Sequence, residues 1–224
     1  MRTKLSDRTL PEYSKTEEYF HVISHMVGAC FGLVVFILCI ARTAHTAKPV
    51  SMMACLIYGI SQVLLYTLSS LYHGLKHQMT KKVFQILDHC VIYLFIAGTY
   101  TPVALIPLRQ HNEALGWIVF AVEWILAFLL VTLTAIDLKR FRVISMAGYL
   151  VMGWGVVVIA DQTITAMTMN GFLLLLLGGV FYTVGAILYG LGRKQKYMHS
   201  LFHVFVLLGS LSHFAAIYQY AIDL

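Results

Sequence analysis

Two histidines four residues apart, His199 and His203 in His199-Ser200-Leu201-Phe202-His203, open the last of a series of apolar stretches, and a third, His73, closes the second. Residues i and i+4 share a helix face, so His199 and His203 can grip one cation through neutral imidazoles, and His73 can add a third nitrogen. Three protein nitrogens with one open position are the donor set of catalytic zinc, whereas a fourth protein ligand makes a closed, structural site. Asp88, near the corresponding end of a third stretch, is placed to orient and deprotonate a water at the open position. Ser69, one turn before His73, is placed to hydrogen-bond that water or the oxyanion formed when a carbonyl is attacked. Amide or ester hydrolysis is the chemistry these groups suit.

The stretches that carry these residues must cross a membrane. Of 224 residues 59% are hydrophobic and only 12% charged, with a mean hydropathy of +0.78, whereas a soluble domain carries about 25% charge. Apolar windows long enough to span a bilayer fall near 22–41, 52–75, 83–106, 115–136, 143–160, 172–191 and 199–221. The expected fold is an all-α membrane protein, a seven-transmembrane-helix bundle. Lysines and arginines divide thirteen against three between alternate sides, with Lys76, Lys81, Lys82, Lys139, Arg140, Arg142, Arg193, Lys194 and Lys196 on the richer one. That asymmetry puts the amino terminus in the cytosol and the carboxyl terminus outside, in a plasma or inner membrane. Residues 1–21 are expected to form a cytosolic tail with a short interfacial helix, started by the capping box Ser14-Lys15-Thr16-Glu17, and 22–224 a single transmembrane domain.

The net charge of +6 sits in short loops, where it orients the chain in the membrane, and argues against nucleic acid as a partner. The first twenty residues carry no removable signal peptide, and Val27-Gly28-Ala29-Cys30 precedes rather than follows its apolar run, unlike a lipoprotein processing site. Cys30, Cys39, Cys55 and Cys90 fit neither a metal pair nor a disulfide framework and read as buried free thiols. Oligomeric state leaves no mark in the sequence.

Helical rise places the metal candidates at matching depth: His73 about 4–5 Å from Lys76, Asp88 about 9 Å from Lys82, His199 and His203 about 4 and 10 Å from Lys196. A single membrane histidine or aspartate is as readily a helix-packing residue, but complementary groups at one depth on three spans point to a metal. His25 and His89 can orient ligands from behind or simply pack. His213, about 15 Å beyond His203, is too far for the same ion and reads as a buried hydrogen-bonding residue. Glu123 lies deep in the fourth span without an evident partner, and His45 and His111 fall in outer loops. Gly28 and Gly32 form a close-packing face in the first span, and Pro102 predicts a kink in the third whose freed carbonyls neighbouring hydroxyls can occupy.

Taken together, Glu17-Glu18 with Ser24-His25, Ser69-Ser70-Leu71-Tyr72-His73, Asp88-His89-Cys90-Val91-Ile92-Tyr93, Ala97-Gly98-Thr99-Tyr100-Thr101-Pro102 and the final His199–His203 pair resemble the hemolysin III branch of the progestin and adiponectin receptor (PAQR) family, within a superfamily that includes alkaline ceramidases. The resemblance covers nearly the whole chain. It implies seven helices, a cytosolic amino terminus, zinc held by His73, His199 and His203, and assistance from Ser69 and Asp88. In receptor and ceramidase relatives this accompanies lipid-amide hydrolysis. Where many bacterial relatives have asparagine before the Ser-His pair, this chain has His21. The expected function is zinc-dependent hydrolysis of a lipid amide or acyl bond near the cytosolic leaflet, with a membrane lipid as substrate or ligand. The rivals are a non-enzymatic membrane-fluidity sensor with a structural zinc and, on the family label alone, a pore-forming hemolysin.

Overall fold

The computed structural model describes residues 3–44, 48–192 and 195–222; His45, Arg193 and Lys194, weighed above, lie outside them. Among the described residues every regular element is helical. Helix α1 (Lys15–Ala44) starts at the capping box: the Ser14 backbone N–H and hydroxyl donate to Glu17 Oε2 at 3.0 and 2.7 Å, and the Glu17 N–H donates to Ser14 Oγ at 3.3 Å. The box opens the long apolar helix itself, which then runs unbroken for 30 residues.

Helix α2 (Pro49–Gly74) begins with proline in its first turn, where a missing N–H costs nothing. Helix α3 (Gln78–Val103) is capped by His77, and α4 (Glu113–Ile136) by Asn112, whose side chain accepts from the Leu115 N–H at 3.1 Å. Helices α5 (Arg142–Val158), α6 (Ala160–Leu191) and α7 (Met198–Tyr220) complete the chain.

Six of these helices are long and apolar enough to cross a membrane, counting α3 with its extension to His111; α5 has 17 residues and is shorter. Helix α3 is the buried centre. Around it α1 packs on α2, α4 on α3, α6 on α7, and α7 returns to α1. Large apolar side chains point outward all round, among them Leu33, Ile37, Ile125, Phe128, Val151 and Val158. That inverted surface is what a hydrocarbon solvent rewards.

Gly28 and Gly32 face α2. A Cβ at Gly28 would overlap the Tyr66 ring, and one at Gly32 would come within 3.2 Å of the Val63 backbone nitrogen. The small-residue face therefore packs within the molecule. Tyr66 cannot swing aside, because its hydroxyl donates to Ser210 Oγ at 2.6 Å on α7. Gly28→Val should thus destabilise the bundle by about 1–3 kcal/mol, the usual cost of overpacking, read as a lowered thermal midpoint in detergent.

Pro102 is accommodated differently from a simple kink. Just beyond it the backbone widens into a π-helical turn, Ala104–Leu108, that also absorbs Pro107 before a last α turn, Arg109–His111. The neighbouring hydroxyls do reach back, Thr99 to the Phe95 carbonyl and Thr101 to that of Ala97, but neither goes to the Gly98 carbonyl that Pro102 deprives of its donor, a correction to the expected pairing. On the far side of the bundle α6 starts twelve residues earlier than its apolar window, and Thr168, at φ 67°, breaks it into two segments. Of the four thiols, Cys39, Cys55 and Cys90 are buried, but Cys30 is exposed on α1, a correction that follows from its position on the outward face of that helix.

Candidate metal centre

Four histidine rings meet where the first turns of α1, the last turn of α2 and the first turns of α7 converge. His21, His73, His199 and His203 are all buried. His199 Nε2 lies 3.3 Å from His73 Nε2 and 3.2 Å from His203 Nε2. Metal–nitrogen bonds of about 2.0–2.1 Å at tetrahedral angles hold nitrogens about 3.3–3.4 Å apart. The observed spacings match that edge length.

Hydrogen bonding behind the rings decides where their lone pairs point. His73 Nδ1 is 2.7 Å from Glu18 Oε2; the carboxylate can only accept, so the proton sits on Nδ1 and the Nε2 lone pair is free. The Ser24 hydroxyl donates to the His21 carbonyl at 3.1 Å, so its oxygen is left to accept from His203 Nδ1, also at 3.1 Å. His203 Nε2 is then a bare lone pair as well. His199 has at most one Nε2 proton to share with two lone pairs facing it from different sides, an arrangement that a cation between the three nitrogens satisfies completely. The donor set therefore fits zinc.

Glu18 is itself held by Lys81 Nζ at 2.5 Å, which ties α1 and α2 to α3. Such outer partners fix ligand tautomer and orientation.

His21 is the residue that spacing arguments passed over. With His73 and His199 it forms a triad whose ligand atoms all lie within 4.8 Å of one another, a set that could hold a metal ion. Its Nε2 is 3.0 Å from Ser200 Oγ, and its Nδ1 has no hydrogen-bond partner among the described residues. The two possible triads share His73 and His199. His203 stands beside this triad, its Nε2 3.2 Å from that of His199. A signal for His21 was present: His21-Val22-Ile23-Ser24-His25 repeats the i, i+4 histidine spacing of the last helix.

His25 stacks on His203 with ring centroids 3.7 Å apart and stiffens it from behind. His89 is pinned within α3, its Nδ1 donating to the Gln85 carbonyl at 2.8 Å while its Nε2 meets the Tyr189 hydroxyl at 3.0 Å. Asp88 Oδ2 stands 3.5 Å from His89 Nδ1, and Asp88, Ser69, His199 and His203 line one cavity of about 180 Å³. That cavity runs between α3, α5, α6 and α7 and is walled chiefly by apolar side chains such as Ile92, Phe95, Met146 and Val206. Glu123 lies buried beside Tyr100 and Gly155, its Oε2 unpartnered among the described residues, and takes no part in this centre.

A roof closes the opposite side. Residues 3–14 form a non-helical arm, with a turn at Lys4–Arg8, whose Tyr13 ring stacks on His199, centroids 5.0 Å apart, and meets His21 edge-on at 4.9 Å. Burial pushes the Tyr13 phenol above its ordinary range, with Tyr189 and Glu18 adding to the effect, so it stays protonated. Two hydrogen bonds fasten the arm, the Thr3 N–H to Asp137 Oδ2 at 2.8 Å and Lys82 Nζ to the Ser6 carbonyl at 2.6 Å, and beside it the Tyr197 N–H donates to Glu17 Oε1 of α1 at 2.8 Å. Tyr197 adopts a left-handed conformation (φ 65°), uncommon for a non-glycine, and this turn delivers His199 to the cluster.

Asp137 accepts N–H bonds from Thr3, Lys139 and Arg140, the Thr3 bond contributing most, and these hold its carboxyl well below the usual range. A depressed folded pKa means the tether is complete above the ordinary aspartate value of about 3.9 and is lost as pH falls through the lower folded value. Asp137→Ala should release the arm at neutral pH, and Tyr13→Ala should remove the roof. Both are expected to speed extraction of bound metal by a soluble chelator by about tenfold, with equilibrium metal content preserved.

The arrangement is a bundle of helices able to span a membrane, with an imidazole cluster beneath an amino-terminal arm and beside an apolar cavity. The chain belongs to the Haemolysin-III related family, whose model matches residues 13–214. It is 38% identical over 206 residues to Hemolysin-3 of Bacillus cereus, covering 92% of each chain. It is 34% identical to the Hemolysin-3 homolog of Bacillus subtilis (strain 168), over 92% of this chain and 95% of that one. A more distant likeness, 28% over 174 residues, covers 73% of this chain and 68% of the Monocyte to macrophage differentiation factor of Homo sapiens.

Proposed function

We propose that this chain is a zinc-dependent membrane hydrolase acting on an amide or acyl bond of a lipid that enters the cavity sideways from the bilayer. His73, His199 and His203 are the ligands, Asp88 the general base and Ser69 the hydrogen-bond donor to the developing oxyanion. The reading includes an amino terminus in the cytosol of a plasma or inner membrane, and α5 as a seventh crossing. At about 1.5 Å per residue its 17 residues reach about 25 Å, at the short end of spanning helices.

The observation that carries this reading is the convergence of three directed imidazole nitrogens at the end of an apolar cavity that Asp88 also lines. When bound, zinc supplies Lewis acidity and makes water a usable nucleophile near neutral pH. The chain's own groups supply the rest. The apolar walls hold an acyl chain, and the Tyr13 roof keeps bulk water away. Asp88 takes the proton from the attacking water and returns it to the leaving amine or alcohol, while the Ser69 hydroxyl supports charge on the carbonyl oxygen. Purified protein should contain one zinc per chain and turn over at least one member of a panel of lipid amides and esters. Full zinc occupancy with no turnover across the panel overturns the hydrolase reading.

His21 favours a second reading. A fourth imidazole within the cluster can close the coordination and make the metal a clamp joining α1, α2 and α7, as a sensor of membrane state requires. His21→Asn separates the two. With the triad His73, His199 and His203 the variant should lose less than about tenfold in zinc affinity; as a direct ligand, its loss should rival that of His203→Ala.

A further inference from the structure

The cavity does not end at the metal cluster. It extends along α7 to His213, ten residues past His203 and about 15 Å away along the helix axis. His213 Nε2 lies 3.0 Å from the Leu175 carbonyl, which can only accept, so this nitrogen carries the proton. The ring sits in a notch on α6: a Cβ at Gly178 would overlap its Cδ2–Nε2 edge. That contact presses one edge of the ring against α6 and turns the Nδ1 edge away from it.

Nδ1 is buried and has no hydrogen-bond partner among the described residues. A neutral imidazole that donates from one nitrogen accepts through the other, so Nδ1 is an acceptor without a donor. None of the neighbouring hydroxyls bonds to it. Thr99 donates to the Phe95 carbonyl, Tyr100 to that of Gly153, Ser212 to that of Leu174, and Tyr182 is engaged with Ser210. Thr99, Tyr100 and His213 also line a small side pocket that continues the cavity.

We propose that this far end recognises a hydrogen-bond donor carried on the lipid itself, with His213 Nδ1 as the acceptor. The inference rests on the lipid-hydrolase reading and deepens it by naming the substrate class. An extended chain advances about 1.2 Å per bond, so the cavity from His203 to His213 measures about a dozen bonds. The ligand that fits is a long-chain acyl amide or ester bearing a hydroxyl about that far from the scissile carbonyl. An unsubstituted chain fills the same cavity but leaves Nδ1 unsatisfied, a cost that discriminates between the two.

The test measures binding of N-acyl amides of one chain length to the zinc-loaded protein in detergent, the hydroxyl being walked along the chain, with the unsubstituted amide as reference. Wild type should prefer the isomer with a hydroxyl about a dozen bonds from the carbonyl by about fivefold to tenfold, the range of one net hydrogen bond. His213→Leu should erase this preference while still binding the unsubstituted amide, and His213→Gln, which keeps an acceptor, should retain part of it. Equal binding of all isomers by wild type overturns the proposal and leaves the lipid reading standing, as does a preference that survives in His213→Leu. If no amide of either kind binds, the lipid reading itself falls, and the proposal with it.

Discussion

His203→Ala is expected to reduce bound zinc from one equivalent per chain to a trace, and His73→Ala to do the same. Each removes a nitrogen that faces His199 at 3.2–3.3 Å, and two nitrogens with solvent make a much poorer site than three. The loss should exceed the roughly 10–100-fold that follows when only an outer partner of a ligand is removed. Glu18→Gln and Ser24→Ala supply that internal scale. Each leaves the ligand in place but weakens the hydrogen bond that directs it, so each should fall in the intermediate range. Elemental analysis and competition with a calibrated chelator give the ordering. Wild-type zinc content in His203→Ala would remove His203 from the ligand set and return His21 to it.

Asp88→Asn should lower turnover by about 10²- to 10⁴-fold, the usual worth of a positioned general base, while zinc content stays at the wild-type level. The amide preserves the size of the side chain and its place in the cavity but cannot accept the proton. Asp88 is suited to the test because its Oδ2 lies 3.5 Å from Nδ1 of His89, a residue bound to the Gln85 carbonyl and outside the imidazole triad. A variant that loses metal along with activity would mark Asp88 as a support of the cluster rather than a base. Unchanged turnover would take the aspartate out of the chemistry.

Much of this architecture was legible in the residues. Hydropathy windows located every long helix, because a bilayer demands continuous apolar runs and leaves little choice of where they lie. The helix-face rule found the His199–His203 pair, and rise per residue brought His73 to the same level. Gly28 and Gly32 marked a close-packing face on the first span, without naming α2 as the helix it meets.

Other features depend on partners that spacing cannot name. His21 looked like a substitution at a hydrogen-bonding position, and only packing shows its ring among three other imidazoles. Tyr13, in a stretch that reads as tail, becomes a roof through Asp137 and Lys82, residues far along the chain. The π-helical turn after Pro102 is a choice of hydrogen-bond register to which hydropathy is blind. The left-handed break at Thr168 is equally silent, since threonine gives no cue for a positive φ.

One consequence of the cluster's origin concerns how the protein is made. Its imidazoles come from segments far apart in the polypeptide, His73 and His199 being 126 positions apart and His203 lying 179 positions beyond Ser24, its hydrogen-bond partner. A nascent chain that has threaded its first six helices still lacks two of the three proposed ligands, so on that reading the site would be complete only once the last helix is in place. On the proposed ligand set, a chain truncated before residue 199 should therefore bind no zinc, and elemental analysis of such a truncation checks it.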